Sequence, residues 1–100
     1  MKQDLYVVAV LTAKAGKADA LRELLLPAVE AFRKEAGCKA YALHEDTQQA
    51  GRFVSYEVWQ DKASLDGHMK SPTLQQAASK LQQLLDGEMQ QYLLDTLLQL

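Results

Sequence analysis

The 100 residues predict an α+β, ferredoxin-like fold, β-α-β-β-α-β, built on a four-stranded antiparallel sheet. Three observations carry this. A Val-rich run without Gly or Pro, Leu5 to Ala13, opens the chain as a buried strand. Two runs of alternating character, Cys38 to Glu45 and Arg52 to Gln60, flank the polar turn Asp46 to Gly51. Each strand-like half is followed or preceded by a stretch of helical period.

After the first strand, Gly16 breaks the run and a helical pattern extends from about Lys17 to Ala36. Leu21, Leu24, Leu25, Ala28 and Phe32 fall on one face of it. Pro27 lies inside this pattern and predicts a kink or local break, because Pro removes a backbone donor and crowds the preceding turn. Gly37 is the expected C-terminal stop. In the second strand the alternation centres on Tyr41 and Leu43. In the third, Phe53, Ser55, Glu57 and Trp59 share one face, with Val54, Tyr56 and Val58 on the other. Asp61 is an N-cap for a short helix with Leu65, His68 and Met69 on one side. Ser71-Pro72 is a second cap with Pro at the first helical position. The helix it starts runs to about Leu85 with Leu74, Ala77, Ala78, Leu81 and Leu85 inward. Asp86-Gly87 then turns into a last strand, Met89 to Leu98, with an apolar tail. No linker or low-complexity stretch divides residues 1–100, so one domain is expected.

Hydrophobic residues make up 48% and charged ones 24%, the balance of a globular chain rather than a disordered one. A net charge of −2, with 11 scattered Lys and Arg, gives no basic face, so no nucleic-acid partner is expected. Neither a leader pattern nor a run of roughly twenty apolar residues is present, so no membrane partner is expected. The single Cys38 precludes an internal disulfide and suits a reducing, cytoplasmic setting. Both faces of the first strand are apolar: Leu5, Val7, Ala9 and Leu11 on one, Tyr6, Val8 and Val10 on the other. Two helices cover only one face, and Tyr92-Leu93-Leu94 and Leu97-Leu98 add further apolar surface. A homodimer packed sheet on sheet accounts for both.

The chemistry-bearing residues cluster late in the chain. Trp59 is the only Trp, and His68 follows it by nine residues on the next element. Trp59 offers a flat wall for an aromatic or enolic ligand, with Phe53 on the same strand face. His68, one turn after Leu65, is placed to act as a general base near neutral pH. Glu57 shares the Trp59 side, where a buried carboxylate either moves protons or is held by donors. Tyr41, His44 and Leu65 are further candidates for a ligand pocket. His44, His68 and Glu57 have the ligand types of a two-His-one-carboxylate iron site, but no single element brings them together, and no metal is expected. Cys38 beside Gly37 is expected to pack as a small hydrophobe.

These features together resemble the antibiotic biosynthesis monooxygenase superfamily, small dimeric α/β-barrel proteins. The resemblance rests on Ala15-Gly16-Lys17, the Glu35-Ala36-Gly37-Cys38 turn, Phe53 through Trp59, Asp61, Leu65, His68 and Ser71-Pro72. It implies a cofactor-independent monooxygenase acting on quinol-like or enolisable small molecules, with His68 and Glu57 catalytic and no cofactor. Arg52-Phe53 through Tyr56-Glu57 and the Lys80 to Gly87 region look closest to a branch that isomerises a phosphorylated signalling dione. A non-catalytic ligand-binding protein is the reading from outside the enzyme class. The haem-degrading members and some cofactor-free members carry an Asn on the first strand; this chain has no Asn at all, which argues against haem degradation and weakens the case for cofactor-free oxygenation.

Overall fold

The computed structural model describes residues 3–99. The elements follow as β1 (Leu5–Thr12), α1 (Ala18–Phe32), β2 (Cys38–Glu45), β3 (Arg52–Trp59), α2 (Lys62–Met69), α3 (Pro72–Leu84) and β4 (Gln90–Leu94). The strands lie in the order β2-β3-β1-β4, and every neighbouring pair is antiparallel. This is the ferredoxin-like α+β fold that the element order predicts, with the second helical unit divided into α2 and α3.

Alternation sorts the sheet into two faces. Val7, Ala9 and Leu11 of β1 pair with Glu57, Ser55 and Phe53 of β3, and all six are buried beneath the helices. β2 joins this face through a register shift between Cys38 and Ala40. The shift changes the parity of the strand, so that Cys38 pairs with Trp59 while Tyr41 pairs with Glu57. On the opposite face Tyr6 and Tyr56 lie 6.3 Å apart, and Tyr56, Tyr92 and Leu94 stay 42%, 49% and 44% exposed.

The caps form as the sequence indicates. Asp61 accepts from the Ser64 backbone N–H at 2.9 Å and from its hydroxyl at 2.8 Å, which starts α2. Ser71 accepts from the Leu74 N–H at 3.2 Å, with Pro72 opening α3. At the tip of the β2–β3 hairpin, Glu45 accepts from Arg22 at 2.7 Å and from the Gly51 N–H at 3.0 Å. The Arg22 bond first, and the Gly51 bond second, hold the Glu45 carboxyl below the usual carboxylate range.

Four expectations need correction. α1 passes through Pro27 without a break. Pro27 and Glu23, whose carbonyl loses its partner, both lie on the exposed face, where water can satisfy that carbonyl. The same helix stops at Phe32 rather than Ala36, and the chain tightens through Lys34 N–H to Ala31 and Glu35 N–H to Phe32. Ala78 is exposed, because the buried stripe of α3 passes through Ala77. β4 ends at Leu94, since β1 offers it no partner further on, and Leu97 and Leu98 stand 97% and 80% exposed.

Gly37 closes the turn between α1 and β2 at φ +80°, and its carbonyl accepts from the Gln60 N–H at 2.7 Å. A Cβ there would run into the Ser64 side chain, which belongs to the α2 cap. Gly37→Ala should therefore cost roughly 1–2 kcal/mol in backbone strain and roughly 1–3 kcal/mol in displaced packing. Urea unfolding checks this: an unchanged midpoint would show that the turn is not under this constraint.

Candidate active site

Four elements deliver the candidate residues to one place. β3 supplies Ser55, Glu57 and Trp59, β2 supplies Tyr41, α1 supplies Phe32, and α2 supplies His68. The Trp59 and His68 ring centroids lie 4.8 Å apart at 30°, a tilted stack. Phe32 meets the imidazole edge-on at 4.5 Å, and Tyr41 approaches it at 5.8 Å. His68 is thus walled by three aromatic rings and only 5% exposed.

Glu57, 2% exposed, is held by neutral donors. Ser55 Oγ donates to its Oε2 at 2.7 Å and Trp59 Nε1 donates to its Oε1 at 2.9 Å. Each carboxyl oxygen thus has a donor, as buried polar atoms require. Burial first, and the Glu57 charge second, push the Tyr41 phenol well up, so Tyr41 keeps its proton and is a donor rather than a base. The same two causes in the same order raise the Cys38 thiol, which keeps it from the reactive thiolate form.

His68 Nδ1 lies 2.8 Å from Glu35 Oε1. Its Nε2 has no hydrogen-bond partner among the described residues. Beside the imidazole is a cavity of about 40 Å³ whose walls are Leu11, Leu25, Phe32, Tyr41, Leu43, Ser55, Glu57, Leu74 and Leu81 among others. At about 10–15 Å³ per water, that space holds a few water-sized molecules, or dioxygen, and not a ring. Met69, Leu74, Met89 and Gln91 are lining residues that reach solvent, and Gln91 Nε2 donates to Met69 Sδ at 3.6 Å. A ring-sized ligand fits only if these side chains move aside.

His68, Glu57 and Tyr41 therefore meet at the cavity. Trp59 joins the same cluster but lies behind it: wholly buried and absent from the cavity wall, it backs His68 and Glu57 instead of facing a ligand. Leu65 is likewise behind the wall, packed with Val7 and Trp59. Phe53 sits in the neighbouring core with Ala9, Leu11, Leu21, Leu25 and Leu85, under the Arg22 guanidinium at 5.7 Å. His44 is exposed on the opposite face of the sheet, paired with Val54, and the structure does not bring it to the site. The two histidines lie on opposite faces, so the His44-His68-Glu57 set does not assemble; no group of three or more potential metal ligands forms among the described residues. No described helix is long and apolar enough to cross a membrane.

Glu35 is the residue that sequence reasoning missed. It is 33 positions from His68 and read only as part of a turn. Ser55 carried a usable signal, since alternation places it on the Glu57 face two residues away.

The family model described as antibiotic biosynthesis monooxygenase matches residues 4–80. PA3566 from Pseudomonas aeruginosa superposes with a TM-score of 0.91 at 32% sequence identity, over 98% of this chain and 98% of that one. Rv0793 from Mycobacterium tuberculosis gives 0.89 at 27% identity, over 97% and 98% of the two chains. A crystal structure described as an antibiotic biosynthesis monooxygenase gives 0.88 at 29% identity, over 93% and 98%. Among curated proteins, the uncharacterized protein sll1783 from Synechocystis is 35% identical over 57 residues, which is 57% of this chain. The chain spans 39% of that relative's length. The matched stretch takes in Glu35, Tyr41, Glu57, Trp59 and His68 together, and the chain belongs to the antibiotic biosynthesis monooxygenase family.

Proposed function

We propose that the protein is a cofactor-independent monooxygenase of quinol-like or enolisable small molecules, with His68 as the base. The observation that carries this reading is a buried imidazole beside an apolar cavity, with Nε2 unpartnered and Nδ1 already engaged by Glu35. His68 Nε2 takes a proton from the ligand's O–H or activated C–H, leaving an electron-rich enolate beside the imidazolium. The space behind the mouth suits dioxygen, which then meets that carbon out of bulk water. Tyr41 donates toward the developing oxygen charge. Glu57, held by Ser55 and Trp59, presents its carboxyl group at the same cavity as His68. Trp59 stiffens the assembly, a change from the ligand-stacking role that its residue type invites.

Isomerisation of a phosphorylated dione begins with the same proton abstraction but needs a cation for the phosphate. Among the described residues no Lys or Arg lines the cavity. Lys70 borders a separate groove, Arg52 pairs with Asp46, and Lys62 pairs with Asp66. A neutral quinol fits these surroundings better. Oxygen uptake with a panel of quinols, run beside deuterium exchange into enolisable diones, separates the readings. Uptake supports the monooxygenase, exchange without uptake favours the isomerase, and tight binding with neither leaves a ligand-binding protein.

We also propose a cytoplasmic homodimer joined through the Tyr6, Tyr56, Tyr92 and Leu94 face, with the Leu97-Leu98 tail laid on the second copy. Apolar exposure on this scale is uncommon in monomers. Sedimentation equilibrium should give twice the 11.2 kDa chain mass, and Tyr56→Lys should shift it toward the monomer. A wild-type monomer at micromolar concentration would contradict this.

A further inference from the structure

We propose that Glu35 is a positioning residue and the proton outlet of the site: it keeps the His68 proton on Nδ1 and exchanges it with solvent, so that a largely apolar cavity can still lose and regain protons when a ligand fills it. This rests on His68 being the base, as proposed above.

Among the described residues, His68 alone borders both the cavity and the open groove on its far side, which Glu35, Asp61, Lys70 and Ser71 line with it. The exposures form a gradient: the His68 side chain is 4% accessible and the Glu35 side chain 19%. Glu35 is placed by the end of α1, through its N–H to the Phe32 carbonyl at 3.0 Å and its carbonyl to the Cys38 N–H at 3.1 Å. These bonds fix the backbone, and the carboxylate meets the imidazole at 2.8 Å.

The other titratable groups near the ring do not serve this purpose. Tyr41 is held protonated by burial. Glu57 has both oxygens occupied, by Ser55 and Trp59, and no route to solvent at 2% exposure. Among the described titratable groups, Glu35 alone both touches the imidazole and reaches solvent.

The proton count closes over one cycle. Nε2 gains the ligand's proton, Nδ1 passes its own to Glu35 Oε1, and Glu35 releases that proton to water in the groove. The ring is left neutral with its proton on Nε2. When Nε2 returns its proton to the product, Glu35 takes one from water and restores Nδ1–H.

The imidazole N–H signals of ¹⁵N-labelled protein test this without any substrate. The chain has 2 histidines, and exposed His44 serves as the internal control. Wild type should show His68 protonated at Nδ1. Glu35→Gln, close in shape, should slow exchange of that proton with water by roughly a hundredfold, and Glu35→Asp should recover most of the rate. A merely structural Glu35 gives the opposite sign, because losing its bond loosens the ring and speeds exchange. Unchanged or faster exchange in a folded Glu35→Gln protein would overturn the proposal. If a panel compound turns over, Glu35→Gln should lower kcat with KM unchanged. Loss of activity in His68→Ala with full kcat in Glu35→Gln would remove the outlet and leave the base standing.

Discussion

His68→Ala should lose roughly 10²–10⁴ in turnover of whichever quinol or dione the protein accepts, equivalent to roughly 3–5 kcal/mol of barrier. The expectation follows from position. The imidazole is the candidate base at the cavity, Tyr41 is held in its protonated form, and Glu57 has both oxygens engaged. Removing the ring leaves Glu35 facing a partly solvated space, since its side chain is already 19% accessible, so the fold should tolerate the change. His68→Asn keeps a polar group near Glu35 and guards against misreading an unfolded variant. Steady-state rates beside thermal unfolding decide it: folded protein with wild-type turnover would take His68 out of the chemistry.

Trp59→Ala should be the most damaging single truncation for stability, at about 3–5 kcal/mol for a fully buried large side chain. A domain of this size has roughly 5–15 kcal/mol in hand, so Trp59→Phe is the more informative change. It keeps most of the packing against Val7, Leu65 and His68 but removes the donor to Glu57 Oε1. An unpaired buried acceptor costs about 1–3 kcal/mol, which should lower the melting temperature by roughly 5–15 °C. Glu57→Met added to Trp59→Phe should cost less than the sum of the single changes, because the unpaired carboxylate is gone. Strict additivity would show that the indole N–H does not hold Glu57.

Much of the frame was legible because its signals are local. The period-two pattern of Phe53, Ser55, Glu57 and Trp59 places four side chains on one face, and all four are buried there. Asp61, Ser71 and Pro72 mark their helix starts to the residue. The pocket expectation for His44 runs against that same alternation, which faces Tyr41 and Leu43 inward and turns His44 outward. Other features depend on contacts that no local pattern records. Glu35 meets His68 across 33 positions. Trp59 lies on the expected face, yet at the strand end Leu65 and the imidazole cover it, leaving the cavity wall to Tyr41 and Phe32. β4 is shorter than its apolar run because a strand needs a neighbour, and β1 gives out at Leu94.

The account stands on ligand chemistry taking place at His68 Nε2. Its most direct test is ¹⁵N-resolved NMR of the two imidazoles during titration with the panel compound that turns over fastest. The Nε2 resonance of His68 should move with ligand occupancy while both nitrogens of His44 stay fixed. Saturation with that compound and an unmoved His68 signal would contradict the account.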